Sequence, residues 1–189
     1  MAAWLVVGLG NPGAGYAHNR HNVGAATVDA LARRASAAFK PRRLLRAATA
    51  DIRLGAERVT LATTRVYMNE SGLAVRALLA DLRLKPDHLV VVHDELDLEP
   101  GQLRVKLGGG DNGHNGLKSI RAMTGTGEFY RVRLGIGRPG GYPDVVDWVL
   151  TDFTPADREV MKTVVVRAGE AVESLVTAGL EATQSRYNS

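Results

Sequence analysis

The chain has 189 residues, 45% of them hydrophobic and 23% charged, which describes one globular domain spanning 1–189 and excludes a disordered or fibrous chain. Its formal charge of +4 raises the odds of a polyanionic partner without requiring one, and with no cysteine it has neither disulfides nor a thiolate nucleophile. No apolar run approaches the roughly 18 to 20 residues of a membrane span and no basic segment precedes the first one, so a soluble cytoplasmic protein is expected.

In chain order, residues 4–9 (WLVVGL) read as a buried strand, and 23–36 as a helix that Asn22 is placed to cap. Strands follow at 47–54 and 58–64, forming a hairpin around GAE. A helix opens at Asn69 with Val75, Leu78, Leu79 and Leu82 on one face, and Pro86 stops it. Residues 88–93 (HLVVVH) form a central strand, continuous in apolar residues because helices cover both faces, with Asp94 at its carboxyl end. A strand at 103–107, a glycine loop at 108–113, a helix at about 115–123 and a strand at 130–136 come next. After the RPGGYP loop and a short helix near 144–149, Thr154, Pro155 and Asp157 start a last helix running to about Gly179. Met161, Val165, Ala168, Val172 and Leu175 line its packed side. The order is mixed α/β.

Gly8-x-Gly10-x-x-Gly13 has the spacing of a dinucleotide site but not its context. Such a site needs a tight turn running straight into a helix, whereas Asn11, Pro12, Gly13, Ala14, Gly15 and Tyr16 make a long loop and helical periodicity resumes only after Asn22. Asp29 falls inside a helix rather than at the end of a second strand, where a ribose-binding carboxylate belongs. The loop instead offers an amide, an imidazole and a tyrosine beside the carboxyl end of a strand. His21 with Asp94 suggests general-base activation of water, since neither a cysteine nor a G-x-S-x-G elbow is present. Asn11, Asn69 and Asn115 sit in equally loop-like places, where neutral amides hold a water or an ester carbonyl. His114 reads either as a substrate contact or as a loop residue. A metal at His93 and the acids of HDELDLEP is disfavoured, because strand alternation sends those side chains apart.

Five ordered blocks, VVGLGNPGAGYAHNRHNVG, VYMNESG, VVVHDELDL, GGGDNGHNGLKS and RVRLGIGRP, closely resemble bacterial peptidyl-tRNA hydrolase. The resemblance implies a single α/β domain with a mixed, twisted central sheet flanked by helices. It also implies cleavage of the ester joining a peptide to tRNA, without metal or cofactor, by a monomer. By motif position it makes His21 the base and Asp94 its orienting carboxylate. Asn11 and Asn69 fall at the cleavage site, and Asn115 positions water and substrate. Tyr16 lies near the terminal nucleotide or peptide, and Lys106 and Arg133 clamp the 5′-phosphate at the acceptor end. Asn19 stands where the family commonly has Thr, and Arg65 where a Pro or another residue often precedes YMN. The segment GRPGGYPDVVDWVL, at 137–150, matches a variable stretch over the cleft.

Of Arg20, Lys106, Lys118, Arg121, Arg131 and Arg133, those on the 130–136 strand are expected to face different ways, leaving Lys106 and Arg133 as phosphate contacts. Two other classes compete with an esterase: a non-catalytic RNA-binding module, which an intact His/Asp pair argues against, and a nicotinamide-dependent oxidoreductase, which the glycine loop argues against.

Overall fold

The structure, a computed structural model, describes residues 3–141 and 144–188. The elements are β1 (Ala3–Gly8), α1 (Val23–Arg34), β2 (Lys40–Arg42), β3 (Ala47–Leu54), β4 (Glu57–Thr64), α2 (Ser71–Leu82) and β5 (Leu89–Glu95), followed by β6 (Leu103–Leu107), α3 (Asn115–Thr124), β7 (Tyr130–Gly135), α4 (Val145–Val149), α5 (Pro155–Ala178) and α6 (Leu180–Tyr187). All seven strands form one sheet in the order β2-β3-β4-β1-β5-β7-β6. The central strands β4, β1, β5 and β7 are parallel, and antiparallel partners complete both edges.

Strand alternation divides the apolar residues between two cores. Leu5, Val7, Leu89 and Val91 pack with Leu78 of α2 and Leu117 and Ile120 of α3. Val6, Val90 and Val92 pack on the other face with Val28 of α1 and Ala168 and Val172 of α5. Helices on both faces explain the unbroken apolar runs in β1 and β5.

From β1 the chain crosses through α1 to the edge strand β2 and returns by β3 to β4 on one side, then passes through α2 to reach β5 on the other. The reversal makes a crevice outside the carboxyl ends of β1, β4 and β5, the position where open α/β sheets bind ligands. The loops at 9–22 and 65–70 and the end of β5 all meet there. Gly24 lets α1 start against this crevice, since a Cβ on it would lie 2.0 Å from the Val92 carbonyl oxygen.

Several expected boundaries need correction. A 3₁₀ turn over Met68–Glu70 precedes α2, which therefore opens at Ser71 rather than Asn69. It stops at Arg83, left-handed at φ 56°, before Pro86 is reached. The edge strand β2 was too short to show a pattern, and α6 was hidden behind Gly179, whose φ of 93° reads as a stop. Asn22 does not cap α1 through its side chain. Thr154 does cap α5, accepting from the Asp157 amide at 3.2 Å. The RPGGYP loop and the 137–150 stretch fall partly outside the described residues.

Candidate active site

Asp94 is buried at the end of β5 and takes one imidazole on each carboxylate oxygen. His21 Nδ1 lies 2.9 Å from Oδ2, and His114 Nε2 lies 2.8 Å from Oδ1. The two rings differ chemically because of what their other nitrogens do. His114 caps α3, and its Nδ1 accepts from the Gly116 amide at 3.1 Å and the Leu117 amide at 3.3 Å. An Nδ1 lone pair used in this way carries no proton, so His114 is the Nε2–H tautomer, a donor to Asp94 with no nitrogen left for substrate. Both ring nitrogens of His114 are thus engaged within the protein. His21 gives its Nδ1–H to Asp94 and keeps Nε2 to exchange protons.

Burial favours the neutral ring of His21, but the Asp94 charge and hydrogen bond outweigh it and hold the imidazole above its usual 6.5. Burial pulls Asp94 upward, yet His114 and His21 together keep its carboxyl well below the usual range. His93 donates Nδ1–H to the Asp94 carbonyl at 2.7 Å and packs its ring edge-on to His114, with centroids 5.1 Å apart. Burial first, and then His114, push it down to about 3, so it stays neutral and serves as a wall.

Asn22, next to His21, bonds the backbone of Asn11 both ways. Its Oδ1 accepts the Asn11 amide at 3.0 Å, and its Nδ2 donates to the Asn11 carbonyl at 2.9 Å. The Asn11 side chain in turn accepts from the Met68 amide through Oδ1 at 2.7 Å, which fixes the carboxamide and leaves Nδ2 as its donor. Asn69 and Asn115 are exposed, and their side chains make no hydrogen bond among the described residues. The Met68–Glu70 turn packs on α3, where a Cβ on Gly116 would meet Met68 Sδ at 2.7 Å, so this glycine brings the two asparagine-bearing segments together. The Tyr16 ring meets that of Tyr67 edge-on at 6.3 Å. Asn22 and Tyr67 escaped the sequence reading: an asparagine before a helix looks like a cap, and Tyr67 carried no chemical signal.

The basic residues divide by burial. Arg131 and Arg133 are two apart on β7 and share a face, contrary to the expected divergence. Arg131 is buried and donates to the carbonyls of Gly109, Gly110 and Gly127, pinning the glycine loop that leads to His114. Arg133 is paired with Glu95, from Nε at 3.2 Å and Nη2 at 2.9 Å, so it is not an uncompensated cation. Lys106 is held below its usual value by burial and then by Arg133 and Arg131, which places it in the positive field expected of a phosphate site. Arg20 tracks no phosphate. It is buried, stacks 3.6 Å over Trp148 and donates to the carbonyls of Thr151 and Asp152, tying the segment after α4 to the His21 loop.

His21, Asp94 and His114 are the one group of potential metal ligands among the described residues, with ligand atoms within 4.8 Å of one another. Their contacts are hydrogen bonds, and a cation held by all three would have to displace both imidazole protons from Asp94. Of the acids near His93, Glu95 pairs with Arg133 and Asp97 with Arg138, and both also accept from Asn112 Nδ2, so their oxygens are taken up by protein donors. What the arrangement offers chemically is a proton acceptor on a buried carboxylate, ringed by amides.

An open α/β sheet with a His–Asp pair and amides at its switch point is the arrangement that suits a hydrolytic enzyme using general-base chemistry. The family model described as peptidyl-tRNA hydrolase matches residues 5–189. The chain is 51% identical to the peptidyl-tRNA hydrolase of Cutibacterium acnes, over 99% of this chain and 98% of that protein. It is 47% identical to that of Mycobacterium tuberculosis, over 97% of this chain and 96% of that one. A crystal structure of peptidyl-tRNA hydrolase from Acinetobacter baumannii superposes with a TM-score of 0.93 at 33% identity, covering 98% of this chain and 94% of that one. The chain belongs to the peptidyl-tRNA hydrolase family.

Proposed function

We infer that this protein hydrolyses the ester between a peptide and the terminal ribose of tRNA, releasing peptide and reusable tRNA. The observation that carries the reading is Asp94 holding His21 by Nδ1 at 2.9 Å, in a chain matched to the family over nearly its whole length. Water gives a proton to His21 Nε2 and adds to the ester carbonyl carbon, while Asp94 stabilises the imidazolium. The tetrahedral intermediate expels the ribose oxygen, which takes that proton back. Asn11, Asn69 and Asn115 supply the amide donors for water and oxyanion, Tyr16 lies against the terminal nucleotide or peptide, and Lys106 and Arg133 meet the 5′-phosphate. An Arg133 already bound to Glu95 acts by sharing its guanidinium rather than as a free charge. The chain works as one domain and as a monomer, in the cytoplasm where its substrate arises. No helix among the described residues is long and apolar enough to cross a membrane.

The test is cleavage of an N-acetyl-aminoacyl-tRNA in EDTA, with unblocked aminoacyl-tRNA as the control. Wild-type protein cleaves the blocked substrate, and His21→Ala loses about 10²- to 10⁴-fold in rate while still binding tRNA. Full activity in His21→Ala refutes the assignment of the base. Binding without cleavage by the wild type would favour a non-catalytic RNA-binding module.

A further inference from the structure

The turn that carries His21 is fastened on both flanks. After it, Asn22 holds the backbone of Asn11. Before it, Asn19 and Arg20 hold the chain that follows α4. Asn19 forms an isolated bridge with Asp152, and its Nδ2 donates to Asp152 Oδ1 at 2.7 Å. The Arg20 amide donates to the Thr151 carbonyl at 3.1 Å, and its Nη1 donates to the carbonyls of Thr151 at 3.2 Å and Asp152 at 3.1 Å. Its guanidinium lies 3.6 Å from the centre of the Trp148 ring and 5.4 Å from that of Phe153. Trp148 is in turn fixed to the sheet: its Nε1 donates to the Gly137 carbonyl at 2.9 Å, and the Gly137 amide donates to the Leu98 carbonyl at 2.8 Å. Packing alone does not explain a guanidinium here. Arg20 is 1% exposed, and its Nε has no hydrogen-bond partner among the described residues. Burial holds it below its usual value against the charges of Asp157 and Asp152. An apolar side chain between the same two rings avoids that cost. What it lacks is direction, since only hydrogen bonds to particular carbonyls fix one backbone against another in a single register.

We infer that Arg20 and Asn19 are positioning residues for the base: by pinning their end of the turn to Trp148 and to the backbone at 151–152, they set where the His21 ring meets Asp94. The inference rests on the peptidyl-tRNA reading above for its kinetic readouts, whereas the His21–Asp94 contact itself needs no substrate. A turn fastened on both flanks gives the ring one placement. Fastened by Asn22 alone, it is free to rock about Asn11, and the 2.9 Å contact of Nδ1 with Asp94 loosens.

The experiment compares wild-type protein with Arg20→Met, which fills the space between the rings without donors, and with Asp152→Ala and Asp152→Asn at an exposed position. It reads kcat and KM on N-acetyl-aminoacyl-tRNA, the midpoint of the pH–rate profile, Tm, and water exchange of the His21 Nδ1 proton by NMR. Arg20→Met keeps a Tm near that of the wild type, loses about 10- to 100-fold in kcat and leaves KM unchanged. Its midpoint moves down toward 6.5, because a looser contact gives His21 less of the Asp94 interaction that raises it. The titratable groups facing the His21 ring, Asp94 on β5 and His114 at the start of α3, are unaltered. Loss of the Arg20 charge by itself acts the other way and raises the midpoint, so the sign separates positioning from a through-space effect. Asp152→Ala lowers kcat by about two- to fivefold, and Asp152→Asn, which still accepts from Asn19, matches the wild type and controls for charge. In Arg20→Met and Asp152→Ala the Nδ1 proton exchanges faster. Unchanged kcat, midpoint and proton exchange in both variants, whatever their Tm, overturn the inference and leave Arg20 a packing residue. So does a rise in KM at constant kcat, which makes the segment after α4 a substrate contact. If Arg20→Met does not fold, Asp152→Ala decides. No cleavage by the wild type instead refutes the parent reading, and the Nδ1 proton then decides the positioning.

Discussion

Asp94 binds two imidazoles that look alike in sequence, and only one of them can serve as a base. His114 uses Nδ1 to cap α3, so Asn at this position keeps a good cap but loses the bond to Asp94. His114→Asn is expected to unfold near the wild-type temperature with a lowered kcat, whereas His114→Ala also loses about 1 kcal/mol of stability; thermal melts beside initial rates separate the two. The pH–rate profile reports the other ring. With His21 as the proposed base, activity needs its neutral form, and the rate is expected to rise with pH through a midpoint above 6.5. In Asp94→Asn only burial remains to shift the ring, so the midpoint moves downward as the rate falls by up to about 10⁴-fold. A midpoint that stays in place would separate Asp94 from the titration. As candidates, His21, Asp94 and the three asparagines were legible in the sequence because each is a polar residue in a loop or at a strand end. The use of both His114 nitrogens was not, since it depends on the angle at which α3 meets β5.

At the scale of elements, glycines set how closely helices approach the sheet. Gly24→Ala places a methyl 2.0 Å from the Val92 carbonyl oxygen and 2.8 Å from the Leu9 amide, both of them backbone atoms that cannot swing aside. It is expected to cost about 1–3 kcal/mol and lower Tm. Gly15→Ala meets nothing within 4 Å and serves as the neutral control. Gly8-x-Gly10-x-x-Gly13 is thus partly a packing device, with Gly8 against the Gly24 carbonyl, and no pyrophosphate cradle follows it. The long, strongly periodic elements α1, α2, α5, β1 and β5 were readable because burial imposes their pattern. The edge strand β2 and the helix α6 were not, since three residues hold no period and Leu180 and Tyr187 make only a faint stripe.

For the whole molecule, the charge of +4 says that a polyanion is welcome but not where. If Lys106 contacts a phosphate, tRNA affinity falls with salt, and Lys106→Ala lowers the slope of log K against log salt by about 1. An unchanged slope in filter-binding titrations would place the phosphate elsewhere. The sequence alone determined the α/β class, the family and the residue types of the site, because hydrophobic period and ordered motifs are local properties of a chain. The tertiary structure decided which of those residues meet. It joined His21, Asp94 and His114, separated Arg20 and Arg131 from any phosphate role, and tied the turn of His21 to the segment after α4. These outcomes depend on strand order and helix approach, which arise from the packing of distant segments and leave no trace in local pattern.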